Sequence, residues 1–318
     1  MNAIALPVFE DVLAAAARIA PHAHVTPTLR SRTLDEMSGA QLFFKCENLQ
    51  RGGAFKFRGA CNAVWSLSEA EAARGVVTHS SGNHGAALAL AARTRGIAAH
   101  VVVPRGAVPA KLAAIRAYGA TLHECEPNMA AREAAVAKLQ ADTGARLVHP
   151  FTDPLVIAGQ GTAALELLAQ SGGLDALVTP LGGGGLIGGT ATAVAGLRVP
   201  ARVFGAEPAG ASEAHDSLAR GERITVHPAD TVCDGLRATF GEINFAMLRH
   251  HGVEVLTVPD EETLAAMRLL WQRMKLLVEP SSAIVFAALL RNRERFAGQR
   301  VGLLLSGGNV DLDALMPA

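Results

Sequence analysis

The chain is poor in cysteine, in aromatic residues and in net charge. Four cysteines (Cys46, Cys61, Cys125 and Cys233) lie far apart in 318 residues, and no Cys-x-x-Cys pair occurs. That spacing excludes a readable zinc knuckle or redox dithiol and points to a reducing compartment. Lysine plus arginine (29) balance aspartate plus glutamate (29), so nothing favours nucleic acid or an acidic membrane surface. No apolar run is long enough for a membrane span. The start carries Glu10 and Asp11 where a secretory leader would be basic and then apolar, so a soluble cytoplasmic protein is expected. Aromatics make up only 4% of residues, yet half of the chain is apolar, so the core must be built from Ala, Val and Leu.

What is present alternates. Short β-branched runs at 75–79, 98–103, 121–124 and 146–148 are separated by Ala/Leu-rich stretches at 82–95, 109–118 and 128–143 that read as helices. A second series follows. Helices are expected at 154–169, from the glycine run to 197, at 261–276 and at 281–291, with strands at 176–179, 202–206, 253–258 and 300–305. This pattern predicts parallel, helix-covered sheets, hence the α/β class. No internal repeat or low-complexity linker marks a boundary.

Several segments carry chemistry. Lys56 follows a glycine pair and opens an apolar segment, in Gly52-Gly53-Ala54-Phe55-Lys56-Phe57. A lysine held against apolar neighbours has a lowered pKa, and its neutral amine attacks aldehydes; a surface lysine with a buried stem is the plainer alternative. Gly182-Gly183-Gly184-Gly185 lies between a predicted strand and a predicted helix, where backbone N–H groups and the helix start suit a phosphate; a flexible turn is the alternative. No Gly-Lys-Ser/Thr follows, so it is not a nucleotide P-loop. Ser80-Ser81-Gly82-Asn83-His84 occupies a similar strand-to-helix position and suits a carboxylate, although simple helix capping needs only Ser81. Ser306, at the end of the last strand, is placed for a ligand nitrogen or is a turn serine. Glu207 and Glu213, with carbonyls between them, suit a hard cation or are solvated carboxylates.

Taken in order, from Thr26-Pro27-Thr28 to Asp311, these segments resemble the fold-type II pyridoxal-phosphate enzymes, and among them the serine/threonine dehydratase and serine racemase group. Val148-His149-Pro150, 156–162 and Arg273 to Pro280 add to the likeness. The resemblance implies two open parallel-sheet α/β domains of the tryptophan synthase β type. Residues 1–74 and 148–318 would form a large cofactor-binding domain, and 75–147 a small one. No appended regulatory domain is expected after the Ser-Gly-Gly-Asn turn, and the assembly would be a homodimer acting on a small amino acid.

By the same resemblance, Lys56 would carry pyridoxal 5'-phosphate as a Schiff base, with Phe55 beside the ring. Asn83 would bond the ring oxygen, Gly182 to Gly185 would hold the phosphate, and Ser306 would face the ring nitrogen. Ser80, Ser81, Gly82 and His84 would take the substrate carboxylate, with Ser81 also an acid/base on the opposite face. Glu207, the Ala211 carbonyl and Glu213 would hold Mg²⁺ or Ca²⁺. The expected reaction is β-elimination from a hydroxy amino acid to a 2-oxo acid and ammonia. Racemisation of serine is the alternative, as is a dehydratase for 3-hydroxyaspartate or phenylserine. Ala54 stands where the family commonly has serine; Phe151 and Ala238 depart from the racemase pattern and make the pocket less polar. Arg132, near the pocket entrance, would pair with a distal carboxylate.

Overall fold

The computed structural model describes residues 5–311; the outermost stretches of the expected large domain, 1–4 and 312–318, lie outside them. Among the described residues ten strands form two sheets: β1 (Thr28–Leu29), β2 (Gln41–Cys46), β3 (Val76–His79), β4 (Ala99–Pro104), β5 (Thr121–Cys125), β6 (Arg146–Leu147), β7 (Ala176–Pro180), β8 (Arg202–Pro208), β9 (Glu254–Val258) and β10 (Arg300–Leu305). The larger sheet runs β1-β2-β10-β7-β8-β9, parallel except for the β1–β2 pair, and the smaller runs β5-β4-β3-β6, all parallel. β7 and β10 are buried along nearly their whole length, as expected of parallel strands covered by helices on both faces.

The helices are α1 (Phe9–Ile19), α2 (Arg32–Ser38), α3 (Lys56–Trp65), α4 (Glu69–Ala72), α5 (Asn83–Arg95), α6 (Pro109–Ala117), α7 (Met129–Thr143), α8 (Pro154–Ser171), α9 (Gly185–Gly196), α10 (Glu213–Arg220), α11 (Glu242–His250), α12 (Asp260–Leu269), α13 (Pro280–Arg291) and α14 (Arg293–Phe296). Among the described residues no helix is long and apolar enough to cross a membrane. The main core lies between the large sheet and α12–α13, where Phe44 meets Phe286 edge-on. A second core packs α3 and α5 against β3 and β4 and so ties the small sheet to the helix that begins at Lys56.

Two expectations are corrected. The helix predicted over 261–276 stops at Leu269. Residues 270–274 form a π turn, and Lys275 takes a left-handed φ of 60°, which ends the helix. The indole N–H of Trp271 then donates to the Val278 carbonyl, fixing the extended run that leads to Glu279. The second correction is β2, which the sequence reading leaves unassigned. Its Lys45 is fully buried, donating to Glu166 and to the Thr26 carbonyl, both at 2.6 Å.

Candidate active site

The two sheets point the carboxyl ends of their strands at one cavity of about 610 Å³, the position where parallel sheets bind ligands. β3 delivers Ser80 to His84, β7 delivers Gly182 to Gly185, and β10 delivers Ser306; all line this space with Phe55, Lys56, Arg132, Phe151 and Ala238. Every cofactor- and substrate-binding residue expected from the sequence is therefore brought to one wall or another. The expected cation residues Glu207, Ala211 and Glu213 do not line it; they form a separate buried cluster.

Lys56 is placed by a turn stitched to the end of β10. Phe55 N–H donates to the Ser306 carbonyl at 2.9 Å, and Gly308 N–H to the Gly53 carbonyl at 2.9 Å. The lysine Nζ donates to the Pro150 carbonyl at 2.9 Å, and among the described residues no carboxylate pairs with it. Burial lowers its pKa to about 8, so a useful fraction of neutral amine exists near neutral pH. Two residues on, Arg58 is fully buried and bridges Glu47 and Glu166, each at 2.7 Å. Such a network specifies one arrangement of α3 against β2 and α8 and is costly to break on one side only.

The glycine run fits an anion. Gly184 takes φ 83° as the N-cap of α9, and the first-turn N–H groups ahead of Gly188 have no helical carbonyl to bond. A Cβ on Gly183 would come within 2.3 Å of the Phe151 ring, so the backbone and that ring share the space tightly.

At the start of α5 the N-cap is Gly82, with no side-chain cap, so the Ser81 hydroxyl is not engaged there. Ser80 Oγ accepts Gly82 N–H at 3.4 Å. His84 is more restricted than the sequence suggests. Its Nε2 donates to the Val148 carbonyl at 3.0 Å, which leaves Nδ1 as a buried acceptor without a partner. Burial, reinforced by the Lys56 charge, holds its pKa well below the usual value. A neutral imidazole presenting an acceptor does not bind a carboxylate; what His84 offers an anion is its backbone N–H.

The sequence reading missed several residues here. Glu279 is the N-cap of α13, just before Pro280, but it makes no side-chain cap bond and turns to Asn83 instead. Lys111 and Asp234 pair across the cavity rim. Asn309 donates to the Gly52 carbonyl at 2.8 Å and to Asn83 Oδ1 at 2.9 Å.

Comparison with known proteins decides the family. The family described as "Pyridoxal-phosphate dependent enzyme" matches residues 19–307. The chain belongs to the pyridoxal-phosphate dependent enzymes. Within them it falls in the serine/threonine dehydratase and serine racemase group. It is 50% identical over 310 residues to the beta-hydroxyaspartate dehydratase of Paracoccus denitrificans, covering 98% of each chain. It is 43% identical to the L-threo-3-hydroxyaspartate ammonia-lyase of Saccharomyces cerevisiae, covering 96% of this chain and 94% of the other. The structure of maize serine racemase superposes with a TM-score of 0.95 at 41% identity, covering 98% of this chain and 96% of that one.

For a pyridoxal-phosphate enzyme the cavity has the right inventory. It offers an enclosed amine of lowered pKa, a glycine cradle at a helix start for the phosphate, and a buried hydroxyl at the end of β10.

Proposed function

We propose that the chain is a pyridoxal-phosphate-dependent ammonia-lyase that eliminates water from a β-hydroxy amino acid, with 3-hydroxyaspartate the preferred substrate. The observation that carries the preference is the set of cations on the cavity wall. Besides Lys56, Lys111 pairs with Asp234, and Arg237 is folded back on the Thr231 carbonyl, whereas the buried Arg132 Nε has no partner among the described residues. A guanidinium with spare donors suits the second carboxylate of a dicarboxylic substrate. Two relatives whose names give hydroxyaspartate as substrate support the same reading.

Bound here, the cofactor supplies an aldehyde for amines and a conjugated ring that takes up electron density as the α-C–H bond breaks. In this reading Lys56 would anchor it, with Phe55 beside the ring and Asn83 toward its oxygen. Gly182 to Gly185 would hold the phosphate, and Ser306 would serve the ring nitrogen. Ser80, Ser81 and the N–H groups of Gly82 and His84 hold the substrate carboxylate. The Lys56 amine takes the α-proton. The β-C–O bond then breaks, its electron pair leaves with the hydroxyl, and the proton just taken by Lys56 completes water. The enamine that remains tautomerises and takes up one water, giving a 2-oxo acid and ammonia. Ser81, its hydroxyl not engaged in capping, is the group that would return the α-proton from the other side in a racemase side activity. Phe151 and Ala238 add no polar group to the pocket, which favours elimination over racemisation.

Glu207 and Glu213 are proposed, with the Ala211 carbonyl, as a Mg²⁺ or Ca²⁺ site. Among the described residues no group of three or more acidic, histidine or cysteine side chains gathers, so backbone carbonyls and water must complete any coordination. The chemistry of the pair fits a cation: both carboxylates are buried, burial raises both pKa values, and the charge of Glu213 raises Glu207 further. A cytoplasmic homodimer completes the reading; light scattering tests the dimer.

The deciding experiment incubates the holoenzyme with L-threo-3-hydroxyaspartate, L-serine, L-threonine and threo-phenylserine, and measures 2-oxo acid, ammonia and D-amino acid. Oxaloacetate and ammonia from hydroxyaspartate at the highest kcat/KM are expected. D-serine formation without 2-oxo acid from any substrate would overturn the lyase reading.

A further inference from the structure

Behind the cavity wall, residues 148–152 hold an arrangement that the proposed chemistry leaves unused. His149 Nδ1 accepts the backbone N–H of Phe151 at 3.4 Å and of Thr152 at 3.2 Å. Its ring stands edge-on to His79 and Phe151, with centroids 5.1 and 4.6 Å away. The turn so closed runs through Pro150, which has no N–H to offer and whose carbonyl accepts from Lys56 Nζ at 2.9 Å. Its next residue, Phe151, lies against Gly183 and has its own carbonyl bonded by Asn244 Nδ2 at 2.8 Å. His149 does not line the cavity, so substrate contact is not its task.

A ring nitrogen that accepts two N–H groups carries no proton, which places the imidazole hydrogen on Nε2. Burial first, then the charges of His79 and Lys56, lower the pKa of His149 to about 3, so the acceptor persists through the neutral range.

We infer that His149 is a positioning residue. By accepting these two N–H groups it sets the turn that aims the Pro150 carbonyl at Lys56 Nζ, and so holds the amine in one place whenever it is free to take a proton. This rests on the reading of Lys56 as the α-proton base. The geometry also names the conservative replacement. Asparagine Oδ1 stands on Cγ where histidine Nδ1 does and accepts from N–H groups two and three residues on, whereas leucine has no acceptor.

The test compares the holoenzymes of the wild type, His149→Asn and His149→Leu by steady-state kinetics and by amide hydrogen exchange over 149–153. Leucine is expected to lower kcat about tenfold or more with KM within about threefold, because the base is misplaced and ground-state binding is not. Phe151 and Thr152 amides should exchange faster in that variant. Asparagine should restore both protection and kcat, the latter to within about threefold. Unchanged kcat in His149→Leu overturns the inference, and so does a tenfold loss in His149→Asn with a wild-type melting temperature. If leucine prevents folding, the asparagine variant decides alone. If the wild type turns over no hydroxy amino acid, the reaction is misread, and exchange alone decides: asparagine amides as fast as those of leucine overturn the turn-setting role.

Discussion

Asn83 donates to both carboxylate oxygens of Glu279, at 3.0 and 3.3 Å, although 196 positions separate the two residues. With Asn309 bonded to the other end of the amide, the Asn83 side chain is held in one orientation, nitrogen toward Glu279 and oxygen toward Asn309. Burial, together with the charge of Asp234, raises Glu279 to a pKa of about 7. Above that pH the carboxylate accepts from Asn83; below it the acid becomes a donor and loses part of that acceptor capacity. Asn83 is the residue proposed to face the cofactor's ring oxygen. The visible absorption of the bound cofactor should therefore shift with an apparent pKa near the Glu279 value, and Glu279→Gln should remove the shift. A titration identical in the two proteins would detach Glu279 from the cofactor.

Lys56 must be neutral to condense with an aldehyde. Because burial lowers its pKa to about 8, reconstitution of the apoenzyme with pyridoxal phosphate should accelerate as pH rises through that value and then level off. An ordinary exposed lysine would keep accelerating toward the usual lysine pKa of 10.5. Stopped-flow absorbance measures the profile. Lys56→Ala should abolish the Schiff-base band and lower turnover by about a hundred- to ten-thousandfold, the range for loss of a positioned base.

These two residues also show what the sequence made legible. The βαβ alternation of the small sheet and the glycine run after β7 are readable because each is a local pattern, a period of two giving way to a helical period and then a breaker. Lys56, Asn83 and Ser306 carry weaker local signals: each alone has a plainer reading, and their roles follow from the resemblance of the ordered set. Glu279 does not: an acid ahead of Pro280 has the signature of a helix start, and only the long-range contact with Asn83 reveals another role. β2 was hidden for a related reason. Lys45 reads as surface until Glu166 and Thr26 are brought beside it in the fold. His84 illustrates the reverse case, a local signal whose imidazole is diverted by the Val148 carbonyl.

The carboxylate pair offers a stability test. Glu207 accepts the N–H groups of Ala214 and His215, each at 2.9 Å, and Glu213 accepts Phe240 N–H at 3.2 Å, two residues beyond Ala238 on the cavity wall. A cation here would replace the protons that burial favours on the two carboxyls and brace the loop that ends the substrate pocket. Mg²⁺ or Ca²⁺ at about a hundred times its Kd should add about 2.7 kcal/mol to stability, a rise of several degrees in Tm. Chelator should reverse the rise, and Glu207→Gln should blunt it. An equal Tm with chelator and with saturating cation would leave the pair as two carboxyls without a metal.

Substrate selectivity is expected to lie with Arg132. Its Nε is buried on the cavity wall without a partner among the described residues, so a distal carboxylate would meet donors that none of them holds. Arg132→Met keeps much of the side-chain length and removes the donors. The lost bond is of the charged class, worth about 1.5–3 kcal/mol, so kcat/KM for L-threo-3-hydroxyaspartate should fall by about 10- to 100-fold. L-Serine and L-threonine present no second carboxylate, and their kcat/KM should change by no more than about threefold. Side-by-side rates of 2-oxo acid formation on the three substrates separate the cases. An equal fall on all three would make Arg132 a general support of the pocket and transfer the choice of substrate to Phe151 and Ala238.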